Sequence, residues 1–182
     1  MIANARAGTN AVRRFRAALG LLMAGLVVSG ATAFPLLLEV RLLSDIFGLE
    51  AAAPAGGQSG LGGWIVTVRL GLEEMYVAHP WIAYGTDWLG FAHLVIAAFF
   101  IGPLIDPPSA RGNILVGIGA SIGAIALALV AGGVRGIPLA SRLIDCSFGL
   151  AALGLLLYCL RLRPRIVGHA ANPTQNPVRE SS

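Results

Sequence analysis

Four long apolar stretches, bordered by arginines, prolines or glycines, constrain this chain more than any other feature. They run approximately from Ala17 to Leu38, Trp88 to Ile105, Ile114 to Val134 and Leu139 to Leu160. A hydrocarbon core about 30 Å thick is crossed by roughly 17 to 25 helical residues, so each stretch is long enough to span. Lipid offers no partner to an open backbone, and the chain lacks the alternating segments of a membrane barrel, so each stretch is predicted to be a helix. The expected fold class is all-α: an integral membrane four-helix bundle. Composition agrees, since 56% of the 182 residues are hydrophobic and only 12% are charged. That mixture lies outside the usual soluble range.

All 13 basic residues are arginine, and they flank the apolar stretches instead of forming one basic face. Their distribution is a topology signal, and it argues against nucleic acid as a partner. With the N-terminus inside, nine arginines (Arg6, Arg13, Arg14, Arg16, Arg111, Arg161, Arg163, Arg165 and Arg179) fall on the cytoplasmic side. Arg41, Arg69, Arg135 and Arg142 fall outside. This bias predicts a multi-pass protein of a bacterial inner membrane with both termini in the cytoplasm and a net acidic outer surface. A cleavable signal peptide is the competing reading of Arg13 to Ala33, because Ala31-Thr32-Ala33 resembles a cleavage site. The apolar run continues through Phe34 to Leu38, which favours an uncleaved anchor.

The organisation expected is a cytoplasmic lead over 1–16, a transmembrane domain over 17–160 with an outer loop at 39–87, and a disordered cytoplasmic tail over 161–182. Within the outer loop, Ala51 to Gly63 reads as flexible. Trp64 to Ala78 reads as an amphipathic helix, with Leu61, Ile65, Val68, Leu72 and Met75 recurring on one side and Arg69 and Glu73 spaced to pair. The acidic supply on its polar face favours a helix that caps the bundle. Gly119 and Gly123, with the first helix's Gly20, Gly25, Ser29, Gly30 and Ala33, are expected at helix packing seams or at a self-association face. Cys146 and Cys159 lie 13 residues apart on one helix, about 20 Å, too far to pair with each other. They read as two buried thiols.

Chemistry in such a chain is sought among the polar groups within or near the spans, because charge is costly there. The candidates for binding or proton handling are His93, Asp145, Arg142, Asp87, Arg135 and Glu39, all assigned to the outer side. His93 is the histidine inside a span, and Asp145 is expected at similar depth, able to accept from His93 or to pair with Arg142. His79, His93, Asp145 and Cys146 are metal-ligand types but show no zinc or haem spacing, so no metal and no cofactor is expected. Ser141, Ser147 and Cys146 show no nucleophile elbow, so catalysis is not the favoured reading. Gly102-Pro103 and Gly136-Ile137-Pro138 read as helix ends and turns.

The strings Tyr84-Gly85-Thr86-Asp87-Trp88-Leu89, Phe91-Ala92-His93, Ile101-Gly102-Pro103, Arg135-Gly136-Ile137-Pro138 and Arg142 to Gly149, together with Thr32-Ala33-Phe34-Pro35, resemble a group of small uncharacterised bacterial four-helix integral membrane proteins. The resemblance implies the fold and no activity. The function expected is therefore that of an inner-membrane accessory or interaction protein whose partners are the bilayer and another membrane protein. A small carrier or proton-linked component using His93, Asp87 and Asp145 is the alternative, and a haem- or metal-binding redox protein is the second.

Overall fold

The computed structural model describes residues 2–49 and 60–170, with side chains from Gly8 to Leu49 and from Gly60 to Gly168. The described elements are helical: α1 (Ile2–Ala33), α2 (Leu36–Ile46), α3 (Leu61–Ala78), α4 (Ala83–Phe99), α5 (Ile101–Ile105), α6 (Arg111–Val134) and α7 (Leu139–Ala170), with short 3-10 turns at Pro80–Ile82 and Pro107–Ser109. Four segments are long and apolar enough to cross a membrane: Gly8–Ala33, Pro80–Ile105, Arg111–Val134 and Leu139–Gly168. The chain is an all-α four-helix membrane protein.

The first span is displaced from its expected limits. It stops at Ala33, and Phe34-Pro35 turns the chain into the separate helix α2. Pro35 supplies the reason, since its ring fixes φ and removes the N–H that would continue α1. The length is recovered at the other end, where helix replaces the expected lead and brings Ala11 and Phe15 into the core. At the far end, α7 runs through Pro164 to Ala170. The rest of the expected tail, 171–182, and most of the expected flexible loop lie outside the described residues.

Lateral order follows from close contacts. α1 packs between α4 and α7, and α7 packs between α1 and α6. Two glycines set the α1–α4 distance: a methyl on Gly30 would stand 2.8 Å from the Gly90 carbonyl oxygen, and one on Gly90 would stand 2.7 Å from that of Gly30. On the other pair, a methyl on Gly149 of α7 would meet Ile125 of α6 at 2.7 Å. These are the backbone approaches that small residues permit in lipid. Gly119 and Gly123, expected at a seam, have nothing within 4 Å and stand exposed on α6.

The core sits at the arginine-rich end, where Phe15, Leu19, Ile114, Leu156, Cys159 and Ile166 are fully or almost fully buried. The turn that closes this end is tied by donors from three helices. Pro103 has no N–H to offer the Phe99 carbonyl one turn earlier, and Asn113 Nδ2 donates to that oxygen at 3.3 Å. Arg16 donates through Nε and a terminal nitrogen to the carbonyls of Leu104 and Ile105 at 3.0 and 3.1 Å. Arg163 donates to the Pro108 carbonyl. These contacts satisfy carbonyls that a helix end leaves open.

At the opposite end α6 closes on Gly136 (φ +72°), with Ile137 N–H returning to the Gly132 carbonyl at 2.9 Å. The glycine is required there, because the left-handed conformation is rare for residues with a Cβ. α2 and α3 form a hairpin beside this end, enclosing Val66 and Ser44. Arg69 donates to Ser44 Oγ at 3.0 Å and stands 3.6 Å from Glu73, the expected i, i+4 pair, and Arg41 meets Glu73 at 2.8 Å. The main neighbours of α3 are α2 and the Pro80–Ile82 turn, so it partners α2 instead of capping the long helices.

Candidate functional site

One stripe of α7 shows where the bundle opens. Ile166, Leu162, Cys159, Leu155, Ala152, Phe148 and Asp145 recur at three- and four-residue intervals and so share a face. Ile166, Leu162 and Cys159 are buried, Leu155 and Ala152 are half-buried, and Phe148 is 70% exposed, with Asp145 also exposed. The facing stripe of α1 behaves in the same way: Ala11, Phe15, Ala18 and Leu22 are buried, whereas Gly25 and Ser29 are exposed. α1 and α7 therefore meet at the arginine-rich end and part toward the other. The upper halves pair as α1 with α4, at Gly30 and Gly90, and α6 with α7, at Ile125 and Gly149, while Ser29, Phe148 and Asp145 are exposed.

Asp145 has no hydrogen bond or ion pair among the described residues, and it stands six residues beyond the start of α7 at Leu139, about 9 Å along the axis. Its expected partners are engaged elsewhere. Arg142 lies across Gly132 and Gly133, where a methyl would come within 2.8 and 3.0 Å of it, and donates to the Leu129 carbonyl at 3.1 Å. Its Nε is buried without a partner. His93 Nδ1 bonds to the Leu89 carbonyl of its own helix at 2.8 Å, and a methyl on Gly30 would stand 3.1 Å from the His93 Cβ. No hydrogen bond or ion pair joins His93 to Asp145. The physical reason is the pairing of helices: α4 sits on α1 and α7 on α6, so the two residues belong to different pairs.

The other candidates scatter. Asp87 lines a shallow recess of about 300 Å³ with Phe34, Tyr84, Trp88 and Phe91. The rings of Tyr84, Trp88 and Phe91 stack edge to face at 6.0 and 5.8 Å. Glu39 occupies the first turn of α2, where the helix dipole favours a negative charge. Arg135 caps the end of α6 and is exposed. His79 packs against Trp81 at 6.0 Å. Among the described residues no group of three or more His, Cys, Asp or Glu gathers closely enough to hold a metal ion.

Sequence reasoning did not find Ser29 and Phe148 where the helix pairs part. Ser29 carried the signal of a polar residue in a span, but it was grouped with small packing residues. Phe148 carried none, since an apolar residue facing a gap looks the same in sequence as one facing lipid. No family model, curated protein or solved structure matches this chain.

Proposed function

We propose that the protein is an accessory membrane protein that binds another membrane protein through the gap between its two helix pairs, and carries out no covalent chemistry of its own. The observation that carries this reading is Asp145, an exposed carboxylate one to two turns into a spanning helix with no partner in its own chain. A carboxylate at such depth is costly when it faces lipid and is stabilised by a donor or cation. A partner helix entering the gap supplies such a group and covers Phe148 and Ser29. The arginine bias supports a bacterial inner membrane with the arginine-rich end in the cytoplasm, which turns the gap outward. The exposed Gly119 and Gly123, four apart on α6, offer a second face for close helix approach, including self-association.

The carrier alternative needs a polar path through both halves. Phe15, Leu19, Ile114 and Leu156 fill the arginine-rich half with apolar packing, which weighs against it.

The test is a photocrosslinking residue placed at Phe148 in native membranes, with Val116, exposed on the other half of the molecule, as control. The reading expects one discrete protein adduct at Phe148, lost or strongly reduced when Asp145→Asn is added, and lipid adducts at Val116. Lipid adducts alone at Phe148, or a protein adduct indifferent to Asp145→Asn, contradict it.

A further inference from the structure

The arginines at the core end of the bundle have different local environments. Arg16 and Arg163 are engaged on the carbonyls of the closing turn. Arg14 and Arg165 have no hydrogen bond or ion pair among the described residues, and both line the same recess of about 240 Å³ between α1 and α7. Asn10 stands one turn before Arg14 on the same face of α1, and Ala11 and Leu162, both buried, supply the apolar lining. No acidic residue lines it. The recess lies in the first turns of the span Gly8–Ala33 and the last two turns of the span Leu139–Gly168, the level of a lipid headgroup.

We propose that this recess binds the phosphodiester headgroup of an anionic phospholipid from the leaflet at the arginine-rich end. Arg14 and Arg165 approach the phosphate from two helices, Asn10 offers an amide donor, and Ala11 and Leu162 give the acyl end of the headgroup an apolar wall. Two guanidinium groups suit phosphate oxygens by charge and by their planar fork of donors. Basic recesses between membrane helices are a recurring setting for anionic headgroups. The proposal does not depend on the partner-binding reading, which concerns the other end of the molecule.

Native mass spectrometry of the full chain in mild detergent tests it, using phosphatidylglycerol, phosphatidylcholine and inorganic phosphate as separate probes. Phosphatidylglycerol is expected to occupy the protein about tenfold more than phosphatidylcholine at equal concentration. Arg14→Gln with Arg165→Gln removes that preference. Arg13→Gln with Arg161→Gln, which deletes two exposed arginines outside the recess, keeps it. Inorganic phosphate in excess leaves the lipid bound, because the acyl chains contribute. Equal loss in the two double variants shows diffuse charge attraction and overturns the site. Displacement by inorganic phosphate shows a free-anion site and overturns the lipid assignment. Arg14→Lys with Arg165→Lys guards against loss of fold: it retains the preference within a few-fold if the recess is the site, and its failure alongside the Gln pair overturns the proposal.

Discussion

At Gly30 and Gly90 a hydrogen in place of a methyl group sets how near α1 and α4 stand. A methyl on Gly90 meets a backbone oxygen at 2.7 Å, and backbone cannot yield as a side-chain tip can. Gly90→Ala is therefore expected to cost about 1–3 kcal/mol, the usual range for overpacking. Gly119→Ala meets nothing within 4 Å and is expected to stay within about 0.5 kcal/mol of the parent, or to gain slightly from helix propensity. Thermal unfolding in one detergent compares them, and equal effects contradict the α1–α4 contact. Sequence favoured Gly119, because Gly123 four residues on makes a small-residue pair on one helix face, whereas Gly90 lies between Leu89 and Phe91 and carries no such signal. The polar exceptions were easier to read: His93, Asp145, Arg142, Asp87, Arg135 and Glu39 stand out by residue type. Their partners did not, since Arg142 and His93 bond to backbone carbonyls, which every residue carries.

The helices themselves were legible because hydropathy and length suffice to mark a span. Their ends were less so. Pro35 was passed over because the residues around it remain apolar, yet its missing N–H separates α1 from α2. Residues 161–170 fall in the expected disordered tail, yet α7 runs through them and accommodates Pro164. The turn after α4 offers a test of how such breaks are compensated. Pro103 leaves the Phe99 carbonyl open and Asn113 fills it. Asn113→Ala is expected to cost about 0.5–1.5 kcal/mol, the net worth of a hydrogen bond. In a Pro103→Ala background, where a backbone N–H is restored, the same substitution costs less. A double-mutant cycle measures this coupling, and strict additivity contradicts the compensation.

For the molecule as a whole, the order α4, α1, α7, α6 was invisible in sequence for a physical reason. In lipid, a residue facing the core and one facing the acyl chains are both apolar, so periodicity does not say which face meets which helix. The structure resolves this by burial along shared stripes: Leu22 and Leu162 are enclosed while Ser29 and Phe148 are open. The consequence is a bundle held together at its arginine-rich end and parted at the other, where Asp145 is presented without a partner. Binding through that opening requires that the opening exist in a bilayer. The direct measurement is oxygen accessibility of nitroxide labels at Phe148, Leu155 and Leu162, one stripe of α7, with one protein molecule per nanodisc. Accessibility that is high at Phe148, intermediate at Leu155 and low at Leu162 is the predicted result, and uniformly low values at all three positions contradict the account.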